Sequence, residues 1–190
     1  MGFAVMYVGL TFMKDCANAV LGEYQTGMMS FFGSINGFGF GSILLFLIAG
    51  AVLTIVLQAS SATMAITMLL AATGLIDFKL AVAMVLGENI GTTITANISA
   101  LMANSTAKRA ALAHLVFNVI GVIWILILFK PFLYMISQLV LSIEGINPML
   151  DAAAVPVALS CFHSFFNITN TLLLVWFIPA IEKIVNKLIP

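Results

Sequence analysis

The residues best suited to bind a small charged ligand are Gln58, Ser60, Ser61 and Thr63, within the segment QASSAT at residues 58–63. Residues 38–57 before this segment carry no charge, and residues 64–72 after it are mostly apolar. Because unpaired backbone N–H and C=O groups are costly in hydrocarbon, a polar interruption must lie inside protein or beside water. The segment therefore predicts that one helix ends and another begins here, with Ser60 or Ser61 as its N-cap.

The start of a helix at this position favours an anion. Its first N–H groups have no acceptor within the helix, and the helix dipole adds positive potential there. The last carbonyl groups of the preceding helix, together with the oxygens of Gln58 and the serines, suit a small hard cation. The segment thus predicts an anion site with a cation site close by.

A second polar segment, GENIGTTITAN at residues 87–97, contains Glu88, Asn89, Thr92, Thr93 and Thr95. Its glycines and hydroxyl groups predict another interrupted helix, with short apolar arms over residues 80–86 and up to residue 103. Paired interrupted helices are typical of transporter sites near the middle of the membrane.

Glu88 is the most unusual residue of the second segment. Burying an ionised carboxylate in hydrocarbon costs roughly 2.5–3.5 kcal/mol on insertion scales. We therefore expect Glu88 to face protein or water, to be protonated, or to bind a cation. The alternative is a simple helix cap at the membrane edge.

The composition is that of a helical integral membrane protein. Of 190 residues, 63% are hydrophobic and 7% are charged, and the apolar runs are continuous, not alternating. The formal net charge is zero, so no basic surface for nucleic acid is expected. Cys16 and Cys161 lie in apolar stretches, as packed residues do. No nucleophile stands with a base and no metal-ligand cluster is evident, so neither an enzyme nor a cofactor is predicted.

These patterns predict one unit with four parts. Residues 1–37 form a first helix and connector, residues 38–103 the interrupted helices, residues 104–178 spanning helices, and residues 179–190 an interfacial tail. Asp77 is a predicted helix cap, and residues 104–109 are a predicted loop.

The pattern H-x-x-F-N occurs twice in the sequence. It begins at His114 and again at His163, and ends at Asn118 and Asn167. We interpret it as His and Asn side chains that bond neighbouring helices, in preference to direct substrate contact.

At the two polar segments, the sequence resembles the type II sodium-dependent phosphate cotransporters, in their bacterial branch. The family's Gln-Ser-Ser-Ser motif is matched by Gln58, Ser60 and Ser61, with Ala59 in place of the first Ser. Its Gly-x-Asn-Ile-Gly-Thr-Thr motif is matched over residues 87–93, with Glu88 at the variable position. The spacing, the basic loop and the H-x-x-F-N segment also fit, so the resemblance covers nearly the whole chain.

The resemblance implies sodium-coupled transport of inorganic phosphate by alternating access, with Na⁺ as the coupling ion and no other cofactor. Phosphate is expected at Gln58, Ser60, Ser61 and Thr63. Sodium is expected at oxygen ligands from both segments: Gln58, Ser60, Glu88, Asn89, Thr92, Thr93 and Thr95. A transporter or channel for another small oxyanion, or a non-transporting membrane scaffold subunit, remains an alternative.

Members of this family carry two such units of opposite orientation with the substrate between them. This chain contains one complete unit, which resembles the second. We therefore expect an all-α half of an inverted-repeat transporter in a bacterial plasma membrane. The partners implied are phosphate, sodium, the lipid bilayer and a second unit, either in the missing part of a longer chain or in a homodimer.

Overall fold

The computed structural model describes residues 37–190 continuously and, before them, residues 5, 8, 9, 11, 12, 15, 19, 22, 27, 30, 31 and 33–35. The predicted first helix, with Cys16, lies largely outside the described residues and stays a prediction. From residue 37 onward, the described chain is helical, with no strand. The helices are α1 (Phe40–Leu57), α2 (Ser60–Ala72), α3 (Phe78–Ala100), α4 (Ser105–Ile127), α5 (Phe129–Glu144), α6 (Val155–Leu174) and α7 (Ile178–Leu188).

Three helical stretches among the described residues are long and apolar enough to cross a membrane: Phe40–Leu57, Ser105–Ile127 and Ala152–Leu188. The last includes short 3₁₀ turns at Ala152–Ala154 and Val175–Phe177, on either side of α6. Helix α2 has 13 residues and, at about 1.5 Å per residue, is too short to span the hydrocarbon alone. This agrees with the prediction of a helical membrane protein and of a short arm after the first polar segment.

The predicted interruption at residues 58–63 is confirmed. Helix α1 ends at Leu57, and Gln58 adopts a left-handed conformation with φ 53° and ψ 26°. The predicted serine cap is wrong, because Ala59 holds the N-cap position of α2 in an extended conformation without a side-chain cap. Ser60 and Ser61 are therefore the first helical residues, and their hydroxyl groups take no part in capping.

The predicted second interruption at residues 87–97 is wrong, because α3 runs continuously through Gly87 and Gly91. These glycines allow α3 to approach α1 closely. A Cβ atom added at Gly87 would overlap the Leu47 carbonyl oxygen, and one at Gly91 would lie 2.6 Å from the Ala51 carbonyl oxygen. The sequence signal that we interpreted as a helix breaker is a packing signal.

The polar side chains of this stretch are satisfied within the continuous helix. The hydroxyl groups of Thr92 and Thr95 donate to the carbonyl oxygens of Glu88 and Thr92, each at 2.8 Å. Such bonds to the preceding turn let threonines sit inside a helix. Their presence in GENIGTTITAN therefore required no interruption.

Two further local predictions concern helix starts. Asp77 caps α3 as predicted, accepting a hydrogen bond from Leu80 N–H at 2.8 Å. The predicted loop at residues 104–109 is wrong beyond its first residue, because Asn104 accepts from Ala107 N–H at 2.9 Å and α4 begins at Ser105. A run of Asn, Ser and Thr marked the beginning of a helix.

The H-x-x-F-N segments do not join helices through their asparagines. Asn118 donates to the His114 carbonyl oxygen at 3.0 Å, and Asn167 donates to that of His163 at 2.8 Å. The bond between helices comes from Asn170, whose Oδ1 accepts from Trp124 Nε1–H at 3.0 Å. The interpretation that the asparagines of the pattern bond neighbouring helices is therefore wrong, because each bonds to the preceding turn of its own helix.

Candidate functional site

A cavity of about 340 Å³ lies where the start of α2 meets α3 and α6. This volume is at the lower end of that of small-molecule sites, roughly 300–1,000 Å³. Two predicted serines, Glu88 and a polar face of α6 meet there. Its lining is Ser60, Ser61, Met64, Met68, Glu88, Ser160, His163 and Ser164.

The α2 side of the cavity presents Ser60 and Ser61 in the first turn of the helix. Both residues are exposed and line the cavity. The N–H groups of a first helical turn also lack acceptors within their helix. This side of the cavity therefore offers hydrogen-bond donors to an anion.

The α3 side presents Glu88, which is 1% exposed. Its Oε1 lies 3.0 Å from the hydroxyl oxygen of Thr67 on α2. That hydroxyl also lies 2.9 Å from the Thr63 carbonyl oxygen, and its single hydrogen can serve one acceptor at a time. A carboxyl group is thus held in the wall of the cavity by one side-chain contact.

Thr63 lies behind the cavity and not in its lining. It is fully buried, and its hydroxyl oxygen lies 3.1 Å from that of Thr54 on α1. Thr54, Thr63, Thr67 and Glu88 form a threonine–glutamate cluster that links α1, α2 and α3. Sequence reasoning missed Thr54 and Thr67, although the spacing of Thr63 and Thr67 places both on one helix face.

The other predicted site residues lie outside this cavity. Gln58 is exposed at the joint between α1 and α2. The four remaining residues on α3 use their side chains for bonds to carbonyl groups of α3 itself, with Thr93 donating to Ile90 at 2.7 Å. These four are Asn89, Thr92, Thr93 and Thr95. The cavity therefore brings together Ser60, Ser61 and Glu88 from the predicted set.

The α6 side contributes Ser160, His163 and Ser164, none of which was predicted as a ligand. The Ser160 hydroxyl donates to the Pro156 carbonyl oxygen at 3.0 Å. His163 Nδ1 is buried and has no hydrogen-bond partner among the described residues. A buried polar atom without a partner costs about 1–3 kcal/mol. The spacing of the three residues, which places them on one helix face, was the available signal.

The chemistry of the lining is that of a binding site. It provides four serine hydroxyl groups, one carboxyl group and one imidazole, with no Lys or Arg in this cavity. Carboxylate and hydroxyl oxygens are ligands that hard cations prefer. Among the described residues, no group of three or more His, Cys, Asp or Glu side chains is arranged to hold a metal ion. The lining therefore combines hydrogen-bond donors with hard oxygen ligands.

The sequence model of the family described as Na+/Pi-cotransporter matches residues 21–150. The chain is 35% identical to the uncharacterized protein YqeW of Bacillus subtilis over 144 residues, which are 76% of this chain and 43% of that protein. It is 28% identical to the putative inorganic phosphate export protein YjbB of Escherichia coli K12 over 163 residues, covering 86% and 27% of the two chains.

Similarity extends to a mammalian protein over a shorter stretch. The sodium-dependent phosphate transport protein 2C of Mus musculus is 40% identical over 95 residues, which are 47% of this chain and 16% of that protein. No solved structure matches the chain. In each of these comparisons, the matched region spans less than half the length of the relative.

Proposed function

Because the chain belongs to the Na+/Pi-cotransporter family, we propose that it carries out sodium-coupled transport of inorganic phosphate. The observation that carries this proposal is the cavity in which Ser60 and Ser61 stand opposite buried Glu88. Membership of a cotransporter family agrees with the expectation that the chain is not an enzyme.

Phosphate binds at the start of α2 in this proposal. The hydroxyl groups of Ser60 and Ser61 and the N–H groups of the first turn donate to its oxygens. This assignment is supported by the exposure of both serines and by their place in the lining of the cavity. In this proposal Gln58 and Thr63 support the same turn. Gln58 lies at the joint between α1 and α2, and the Thr63 hydroxyl contacts the Thr54 hydroxyl on α1.

Sodium binds beside the anion and supplies the positive charge that the lining lacks. Glu88 is the main ligand in this proposal, because a carboxylate is the strongest hard-cation ligand of the set. Ser60 and Gln58 are proposed as further oxygen ligands. The proposed sodium-binding stretch of α3 also includes Asn89, Thr92, Thr93 and Thr95. A carboxylate that binds Na⁺ in a low-dielectric wall couples the occupancy of the cation to that of the anion.

The transport step is alternating access between two units. The chain supplies one unit, and the second comes from the remainder of a longer protein or from another copy. A plasma-membrane location follows from this proposal and from the bacterial relatives. The names of relatives refer to phosphate export and to sodium-dependent transport, so both directions of flux are to be measured.

The test is ³²P-phosphate flux in proteoliposomes, with and without a Na⁺ gradient. The double variant Ser60→Ala/Ser61→Ala removes two hydroxyl donors to a charged ligand, so we expect its KM to rise at least roughly tenfold. Ser142→Ala is the control, because the hydroxyl of Ser142 donates to the Leu139 carbonyl oxygen within α5. Unchanged flux in the double variant would overturn the proposed site.

Glu88→Gln tests the sodium part separately. The amide keeps the size of the side chain and can still bond to Thr67, but it removes the charge. We expect the variant to fold and to lose its response to the Na⁺ gradient, whereas Glu182→Gln on the exposed side of α7 keeps it. Competition with arsenate and sulfate then separates phosphate from other oxyanions, and a folded wild-type chain that neither binds nor moves any oxyanion supports the scaffold alternative.

A further inference from the structure

We propose that His163 binds the transported anion directly, so that α6 supplies the third side of the phosphate site. The proposal rests on the proposed function and adds a residue that the family motifs at residues 58–63 and 87–93 do not contain. The ligand class is a tetrahedral oxyanion, with inorganic phosphate as the probe.

The position of His163 places its ring in the same cavity as the two serines. Ser160, His163 and Ser164 lie on one face of α6, opposite Ser60 and Ser61. The Ser160 hydroxyl is already engaged with its own helix, and the imidazole Nδ1 has no partner among the described residues. Because His163 lines the cavity, a ligand bound there would lie beside its imidazole ring.

The cavity needs a hydrogen-bond donor for an anion, and His163 can provide one. An anion that enters meets the Glu88 carboxyl group and no Lys or Arg in the lining. A bound cation offsets one negative charge, but a phosphate ion carries one or two of its own. His163 is the one side chain of this lining that carries an N–H donor. An imidazole N–H that donates to a phosphate oxygen forms a charge-assisted hydrogen bond.

The first H-x-x-F-N segment, which begins at His114, provides an internal comparison. His114 occupies the same place in the pattern, and Asn118 donates to its carbonyl oxygen as Asn167 does to that of His163. However, His114 is exposed and lines a separate pocket between α4 and α7 with Arg109 and Glu182. The two histidines share a local sequence and a local backbone role, and only His163 lies in the serine-lined cavity.

The experiment measures modification of both histidines by diethyl pyrocarbonate in the unaltered protein, reconstituted in Na⁺-containing buffer. Mass spectrometry gives the rate at each histidine with phosphate or with chloride at equal ionic strength. Phosphate at about ten times its Kd leaves roughly a tenth of the sites free, so we expect modification of His163 to slow roughly tenfold. His114 is expected to react at the same rate in both buffers, and it corrects for any loss of reagent.

A kinetic measurement complements the protection experiment. His163→Gln removes the imidazole and should raise the KM for phosphate roughly tenfold or more, with a smaller effect on kcat, because a hydrogen bond to a charged group is lost. His114→Gln should leave the KM unchanged. If His163→Gln does not fold, the protection experiment on the unaltered protein still decides.

The outcomes separate this inference from the proposed function. Phosphate transport by the wild-type protein, with His163 modified equally fast in phosphate and chloride, overturns the role of His163 and leaves the function standing. A wild-type KM in folded His163→Gln does the same. A folded wild-type protein that neither binds nor transports phosphate overturns both. Phosphate protection of His163 but not of His114 confirms the inference.

Discussion

Replacing Gly91 with alanine tests the close contact between α1 and α3 that replaced the predicted interruption. The new Cβ atom would lie 2.7 Å from Thr54 Cβ and 2.6 Å from the Ala51 carbonyl oxygen. Ordinary van der Waals contact begins at 3.4 Å, so the distance to Thr54 Cβ is about 0.7 Å too short. Because the atoms it meets belong to the backbone or lie next to it, the helices must separate by about that distance.

The separation has a cost that exceeds the gain in helix propensity. Overpacking typically costs about 1–3 kcal/mol, and replacing Gly by Ala inside a helix returns up to about 1 kcal/mol. Movement of Thr54 also stretches its 3.1 Å contact with Thr63, one of the contacts of the threonine–glutamate cluster. We therefore expect the free energy of unfolding to fall by about 1–2 kcal/mol, which lowers the apparent Tm of a chain of this size by roughly 2–8 °C.

The assay is thermal unfolding in detergent, followed by Trp fluorescence and by size-exclusion chromatography after heating. Gly41→Ala is the control, because its Cβ atom would meet only Phe38 Cβ at 3.7 Å, an ordinary contact. Its Tm should be unchanged or slightly raised. The reasoning is refuted if Gly91→Ala is as stable as Gly41→Ala, since a broken helix at residues 87–97 would tolerate the methyl group.

Two further predictions concern polar contacts outside the cavity. Asn170→Ala leaves the Trp124 indole N–H without its acceptor, so we expect the protein to lose about 1–3 kcal/mol of stability and its Trp fluorescence to change. Asn167→Ala removes a bond within α6 alone and should lower stability less. Equal Tm values for the two variants would contradict this prediction. Asp77→Ala removes the cap of α3 and should lower stability by about 1 kcal/mol, measured as Tm, whereas Asp77→Asn, which keeps a capping oxygen, should restore most of it.

The two polar segments show why local sequence predicts one structure well and another badly. At residues 58–63, the interruption agreed with the structure because adjacent apolar stretches on both sides leave a short polar segment between two helices. At residues 87–97, glycine and threonine have two uses, as helix breakers and as the small residues of a close helix contact. Which use applies depends on the presence of α1 against α3, as at Leu47 and Ala51.

Some residues of the cavity could be recognised from the sequence and others could not. Ser60, Ser61 and Glu88 stood out in the sequence because polar groups are rare and costly in apolar segments. Ser160, His163 and Ser164 did not, because a His and two Ser residues spaced on one helix face serve equally well to bond neighbouring helices. Their place in the cavity became visible only when α6 was placed against the start of α2.

Hydrophobicity, local backbone chemistry and motifs were sufficient to predict the membrane-protein class, the joint between α1 and α2, the cap at Asp77 and the family. The tertiary structure decided that α3 is continuous, that Thr63 and Thr67 face inward, and that His163 shares a cavity with Ser60 and Glu88. The reason is physical. A hydrogen bond or close contact between helices joins residues far apart in the chain, and no local pattern specifies which helix face meets which.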